Sequence, residues 1–253
     1  MTITGKLKKL FTVISNPLNS FQKSNYIFIL SHMRSRSTVL SHILGSNPEI
    51  IGYSELQLAY ANKLSILNMK VKLMKEFKIK FRNKYLLDKI LHNHFSISPR
   101  ILTNYNPKII ILLRKPEDTL KSLYNLSHKN NLEKFKDTSV ALEYYCSRLN
   151  EISQFAISNP KKYFLIESDE LVTNSDVVLQ NLSKWLNLSN PLVTVYSQFK
   201  NTGIRRHGDS SANINAGVLK KTPKYNNIEI PSTVFEKAQT SYENCLKTLK
   251  QNS

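Results

Sequence analysis

Cysteine is scarce in this chain. Cys146 and Cys245 are its two cysteines, and neither lies in a CxxC pair or beside histidines at metal-ligand spacing. That argues against a zinc-finger or disulfide-scaffold reading and makes a reducing compartment the simplest setting. An apolar run of the roughly 20 residues that a bilayer-spanning helix needs is also missing. The opening stretch, MTITGKLKKLFTVISNP, is basic and partly apolar but has no signal-peptide core and no small-residue cleavage site. A cytoplasmic protein with a frayed N-terminus is therefore expected, and peripheral contact of that basic end with a membrane surface is the alternative. No Pro/Gly/Ser-rich linker, internal repeat or low-complexity tract interrupts the chain. One domain over residues 1–253 is expected, with its core at about 24–221 and a closing helix at about 233–249.

Acidic residues are few. Asp and Glu number 18 against 36 Lys and Arg, a net charge of +18, while 41% hydrophobic residues suffice for a substantial core. The surplus suits an anionic ligand or partner: a nucleotide, a nucleic acid, an acidic glycan or a membrane surface. A lysine-rich surface of no functional meaning accounts for the charge equally well, so charge alone does not choose the ligand.

The informative stretch runs from Tyr26 to Glu55. Tyr26-Ile27-Phe28-Ile29-Leu30 is a continuous apolar run of the length of a strand buried on both faces of a parallel sheet. Ser31-His32-Met33-Arg34-Ser35-Arg36-Ser37-Thr38 follows as a polar loop with two guanidiniums and four hydroxyls. Val39, Leu40, Ile43 and Leu44 then mark one face of a helix, with Gly45 placed to end it. A strand entering a helix through a loop of donors forms an anion cradle, because free N–H groups and the positive end of the helix dipole face the ligand.

Further on, Leu64, Leu67, Val71 and Met74 predict a helix whose other faces carry Lys70, Lys72, Lys75 and Lys78 as a solvated basic surface. Tyr85 to Leu87 is a short strand, followed by Asp88, Lys89 and a segment holding His92 and His94. Lys108 to Leu113 is the clearest strand, and Arg114-Lys115-Pro116-Glu117-Asp118 after it opens a helix, with proline and acids suited to its first turn. A helix on Leu142, Tyr145, Leu149, Ile152 and Ala156, a strand from Tyr163 to Ile166, and a helix on Val178, Leu182 and Trp185 follow. Residues 200–227 are polar and irregular, which suggests a functional loop. Thr233 and Glu236 have the spacing of a capping box for the last helix. Alternating strands and helices predict an α/β fold, P-loop-like and three-layered, with a central parallel sheet flanked by helices. Ligands of such sheets lie beyond the carboxyl ends of the strands, where Arg34 and Arg114 both fall. Ser122, two turns into the helix after Arg114, is placed to grip a second anion with it, so the ligand suggested is a nucleoside with phosphates at both ends.

These segments together resemble the sulfotransferases that use 3′-phosphoadenosine 5′-phosphosulfate (PAPS). Arg34-Ser35-Arg36-Ser37-Thr38 stands where that family has a basic-Ser-Gly-(Ser/Thr)-Thr motif after its first strand. The resemblance implies that Arg34, Ser35, Ser37 and Thr38, with the backbone of Arg36, hold the 5′-phosphosulfate. KIIILLRKPEDTLKSLY matches the family's strand, Arg, Pro and Ser, so Arg114 and Ser122 would hold the 3′-phosphate. A weaker likeness runs from Tyr163 to Leu171 and through the following helix to Leu188. The closest branch contains the tyrosylprotein sulfotransferases and many bacterial enzymes. Asn47-Pro48-Glu49 leading to Gly52-Tyr53-Ser54-Glu55 resembles that branch and implies Glu55 as general base, with Arg34 stabilising the charge that develops on transfer. His92 and His94 are rival bases, since other branches use a histidine, and Lys89 is a candidate sulfate or acceptor contact. Lys221, with Ser211 before it, would close over PAPS. Arg36 occupies the motif's glycine position; were a positive φ required there, its backbone would be strained.

The activity implied is transfer of the sulfuryl group of PAPS to a hydroxyl on a glycan, lipid, peptide or small metabolite, with no metal and no nucleic-acid partner. Two other readings compete. A P-loop kinase or NTPase would need a Gly-rich loop ending in Gly-Lys-Ser/Thr, absent here, and an acid where the KIIILL strand ends in Arg114. A non-catalytic polyanion binder would fit the charge, but no nucleic-acid motif or aromatic-interleaved basic ribbon accompanies it.

Overall fold

A computed structural model describes residues 12–129, 135–204, 212–220 and 227–253. Its centre is a five-stranded, all-parallel sheet formed by β1 (Asn25–Ser31), β2 (Ile50–Ile51), β3 (Tyr85–Ile90), β4 (Lys108–Leu113) and β5 (Tyr163–Glu167) in the order β2-β3-β1-β4-β5. β1 is central, pairing Ile29 with Lys89 of β3 and with Ile110 of β4. Both faces of the sheet are covered, which is why its strands read as unbroken apolar runs.

Alternation along the strands divides the core into two layers. Tyr26, Phe28 and Leu30 of β1 pack on one side, as do Leu86 and Ile90 of β3, with helices α3 (Lys63–Glu76), α4 (Pro99–Tyr105), α5 (Pro116–Lys129), α6 (Thr138–Ser158) and α9 (Ser232–Gln251). Ile27 and Ile29 of β1 and Leu87 of β3 pack on the other side, against α2 (Ser37–Gly45), α7 (Glu170–Thr173) and α8 (Ser175–Leu186). A short helix, α1 (Pro17–Phe21), precedes β1. The result is the P-loop-like α/β architecture that the alternating elements predict.

Several local expectations are corrected. α3 forms with Val71 and Met74 buried as expected, but Ile66, Met69 and Leu73 complete its buried face and Leu64 is exposed. Its start is fixed by a capping box in which Asn62 accepts from Leu64 and Ser65 while the Ser65 hydroxyl takes the Asn62 N–H. That choice rotates the helix and turns Lys70 inward, where Nζ donates to the Ser20 carbonyl at 3.4 Å and to the Gln22 carbonyl at 2.5 Å. The expected capping box at Thr233 and Glu236 is absent: Pro231 precedes α9 and no side chain caps it.

Gly45 does end α2, though not as a left-handed cap. It is the last residue of α2, and a Cβ there would lie 2.4 Å from the Gly52 carbonyl oxygen, so the glycine permits α2 to approach the chain after β2. β3 extends to Ile90, which places Asp88 and Lys89 inside the sheet rather than after it. Among the described residues, no helix is long and apolar enough to cross a membrane.

Candidate active site

The site lies over the carboxyl ends of β1, β3 and β4. β1 ends at Ser31, whose hydroxyl bonds the Leu112 carbonyl of neighbouring β4 and the Ser35 hydroxyl at 2.6 Å. Ser35 is fully buried and its side chain is turned down onto the sheet. The loop then turns twice through left-handed backbone, at Arg34 (φ 62°) and Arg36 (φ 69°). Arg36 is the residue before α2 and offers that helix no side-chain cap. First-turn amides of a helix have no carbonyl four residues earlier to bind, so the entry to α2 is suited to an anion. Ser37 and Thr38 form that first turn and are largely buried.

Both anion sets read from the sequence meet here. Arg34 Nε donates to the Ser122 hydroxyl of α5 at 2.8 Å, and Arg114 Nη1 donates to the Arg34 carbonyl at 2.9 Å. Arg114 also pairs with Asp118 at 3.2 Å, yet its buried Nε has no hydrogen-bond partner. Burial, then the neighbouring charge of Arg36, pushes the guanidinium pKa of Arg114 down; Asp118 opposes the shift and Arg34 adds to it. A cluster of cations that disfavours its own charge is stabilised when an anion enters.

His32 ties the two strand ends together. Nδ1 donates to the Met33 carbonyl at 2.9 Å and Nε2 accepts the Arg114 N–H at 3.1 Å, a pattern that requires the neutral ring. Burial pushes its pKa down to about 4, which agrees.

Arg36 does not point into the cradle. Its Nη1 reaches past the end of β5 to the Ser168 hydroxyl at 2.8 Å and Asp169 Oδ1 at 3.0 Å. The position therefore has the backbone of a glycine and the side chain of a clasp.

Glu55 arrives from the other side. Gly52, at φ 117°, passes so close to β3 that a Cβ would meet the Leu87 carbonyl at 2.4 Å, and this lets residues 52–56 cross over the strand. The Glu55 side chain is 10% exposed, and its Oε1 has no hydrogen-bond partner. His92 Nε2 lies 3.8 Å from that oxygen, so the two rival bases are neighbours. Burial raises the Glu55 pKa, and the positive fields of Lys89 and Arg148 partly counter it. Lys89 is buried and its Nζ donates to Thr38 Oγ1 at 3.2 Å, linking the cradle to the ground beneath Glu55. His94 stacks on His92 with ring centroids 5.3 Å apart.

Sequence reasoning missed three residues. Arg148 of α6 is buried and donates to the Ser31 carbonyl at 2.8 Å, the Ile90 carbonyl at 2.6 Å and Asn93 Oδ1 at 3.2 Å. It thus fastens the ends of β1 and β3 beside Glu55. A basic residue between Tyr144 and Ile152, four positions from each in a buried stripe, was its signal. Asp88 and Tyr60 are bonded to each other at 2.5 Å beneath the Glu55 loop, and burial pushes Asp88 up to about 7. Lys221 and Ser211 lie outside the described residues. The segment before Lys221 does pair with residues 194–196, through Tyr196 N–H to the Gly217 carbonyl at 2.8 Å and Leu219 N–H to the Thr194 carbonyl at 2.9 Å.

A parallel sheet whose central strands deliver an uncapped helix entry beside Arg34 and Arg114 is an α/β fold of the P-loop-like class with a site suited to an anion. The chain matches the sulfotransferase domain family over residues 24–230 and belongs to it. Members of that family are enzymes that typically take PAPS as donor, so the family match decides for sulfotransfer over the kinase and polyanion-binder readings. Two solved structures have the same fold. The sulfotransferase domain from the curacin biosynthetic pathway is 18% identical at a TM-score of 0.62, the match covering 87% of this chain and 97% of that one. The sulfotransferase domain of the Synechococcus PCC 7002 olefin synthase is 17% identical at 0.60, covering 89% and 96%. No curated protein matches the sequence. Among the described residues, no group of three or more His, Cys, Asp or Glu is placed to hold a metal ion.

Proposed function

We propose that this chain, acting as one catalytic domain, transfers the sulfuryl group of PAPS to a hydroxyl-bearing acceptor with Glu55 as general base. The observation that carries the proposal is the Glu55 carboxylate, which is nearly buried and whose Oε1 accepts no hydrogen bond. A buried carboxylate oxygen without a donor is costly to keep, and an acceptor O–H would supply the missing hydrogen bond.

PAPS supplies the sulfuryl group: the sulfur–oxygen bond to its 5′-phosphate breaks as the bond from the acceptor oxygen to sulfur forms. Arg34, Ser37, Thr38 and the backbone of 35–36 are assigned to the 5′ end, and Arg114 and Ser122 to the 3′-phosphate. The orphaned Arg114 Nε and the uncapped entry to α2 fit such a doubly anionic ligand. Glu55 takes the acceptor proton as the oxygen attacks. Burial raises its basicity, and the positive charges of Lys89 and Arg148 partly counter that rise. Lys89, through Thr38, sits where it can offset negative charge that develops between base and cradle. His92 is the second candidate base because it touches the same oxygen.

Calorimetric titration with 3′-phosphoadenosine 5′-phosphate (PAP), the desulfated product, tests the assignment. Saturable binding weakened by added salt is expected, and the absence of binding overturns it.

A further inference from the structure

Asp88 is fully buried, lies inside a strand, and makes no contact with the arginine cradle. Its side chain faces the α3 layer, opposite to that of Lys89, as the two-residue period of a strand requires. Oδ1 accepts the Leu56 N–H at 2.8 Å and the Lys89 N–H at 2.7 Å, and Oδ2 accepts the Tyr60 hydroxyl at 2.5 Å. Leu56 is the residue after Glu55, and its carbonyl accepts Lys72 Nζ. Both polar backbone groups of Leu56 are thereby held by ionisable side chains. The next residue, Gln57, stands at φ 54°, a left-handed backbone that a non-glycine adopts only under constraint. Downstream, Tyr60 N–H donates to the Ser96 carbonyl at 2.8 Å, and the Tyr60 carbonyl accepts the Ser98 N–H at 2.9 Å. The segment 56–60 is over-determined, and Asp88 grips both of its ends.

We infer that Asp88 is a positioning residue: through Leu56 and Tyr60 it holds the strained 55–57 backbone that aims the Glu55 carboxylate at the acceptor. The inference rests on the proposed role of Glu55. Because it acts on the base and not on the cradle, it separates turnover from donor affinity. A misplacement of the order of 1 Å at a reacting group lowers rate by about 10²-fold; Asp88 bonds none of Arg34, Arg114 or Ser122, and it meets Lys89 only at the backbone N–H, while Lys89 reaches Thr38 through its side chain.

The test uses the full chain with Asp88→Ala, Asp88→Asn and Tyr60→Phe, PAPS as donor and 4-nitrophenol as a hydroxyl probe. Asp88→Ala is expected to lower kcat by about 10²-fold while KM for PAPS and the Kd of PAP stay within about twofold. Asp88→Asn keeps an acceptor for Leu56 and lets the Tyr60 hydroxyl turn round to accept, so it should restore kcat to within about tenfold of the parent. Amide exchange of a peptide spanning 54–58 should accelerate in Asp88→Ala while peptides of β4 keep their protection. Should Asp88→Ala fail to fold, Tyr60→Phe removes one bond of three and is read in the same way, with a loss of several-fold. Loss of PAP affinity in step with kcat, or unchanged exchange over 54–58, overturns the inference. A parent that neither releases PAP from PAPS nor binds PAP sinks the sulfotransfer reading instead, and the exchange comparison then decides whether Asp88 holds the loop.

Discussion

Arg36 Nη1 lies 3.0 Å from Asp169 Oδ1 while the Arg36 backbone stands at φ 69°. The two facts oppose each other. Left-handed backbone costs a non-glycine residue about 1–2 kcal/mol, and the charged clasp to Ser168 and Asp169, on side chains 12% and 34% exposed, offsets it.

Arg36→Ala keeps the left-handed backbone and loses the clasp. Arg36→Gly loses the clasp but relieves the backbone. Denaturant unfolding should therefore find the alanine variant less stable than the parent by about 1–3 kcal/mol, and the glycine variant about 1 kcal/mol more stable than the alanine one. Equal midpoints for the two variants would mean that position 36 carries no backbone strain.

Glu55→Gln retains shape and removes the proposed base. A loss of about 10²–10⁴-fold in turnover is expected, with PAP affinity unchanged, whereas His92→Asn should cost less than about tenfold. The reverse ranking would move the base to His92. Because Glu55 must be ionised to accept a proton and its pKa is raised from 4.5, the acid limb of the rate profile should lie above that value. Turnover falls as pH drops through the limb, and Glu55→Gln should abolish it.

Arg114→Ala removes one guanidinium of the cluster and the bond that holds the Arg34 carbonyl. Charge-assisted hydrogen bonds contribute about 1.5–3 kcal/mol, so PAP should bind at least about tenfold more weakly. Ser122→Ala leaves both guanidiniums and should cost only several-fold. Calorimetry at two ionic strengths checks the origin: the Arg114 effect shrinks in high salt if it is electrostatic.

His32 gives a stability prediction of definite sign. Its folded pKa of about 4 lies below the unfolded 6.5, so the unfolded chain binds the proton first. The stability that His32 contributes is fully present above about 6.5 and is lost as pH falls toward 4, on the order of 3 kcal/mol in all. Asp88, raised from 3.8 to about 7, acts with the opposite sign: its protonated form favours folding, and that contribution is lost as pH rises through 7. The His32 effect is therefore read as a difference. The stability gap between the parent and His32→Gln, measured by chemical unfolding, should narrow between pH 7 and pH 4.

Much of the scaffold was legible because its signals are local. KIIILL and the run from Tyr26 to Leu30 become strands buried on both faces, and Pro116 with Glu117 opens α5 as its first-turn chemistry requires. Local rules failed where a neighbour decided. Thr233 and Glu236 had the spacing of a cap, yet Pro231 sets the start of α9. Asp88 and Lys89 looked like the polar end of a short strand, because a charged pair inside a sheet is stable only where Tyr60, Leu56 and Thr38 meet it.

By itself the sequence determined the P-loop-like α/β scaffold, the cationic loop between β1 and α2, and the candidates Arg34, Arg114 and Ser122, while Glu55 and His92 were candidates through the resemblance to the sulfotransferases. Periodicity and spacing are properties of a short stretch of chain, and they survive without knowledge of the rest. Tertiary structure alone decided that Arg34 reaches Ser122, that Arg36 turns away to Asp169, that Glu55 and His92 share one oxygen's surroundings, and that Arg148 and Asp88 stand beneath them. Those relations join residues far apart in sequence, and the free energy of a buried charge depends on which distant partner folding brings to it.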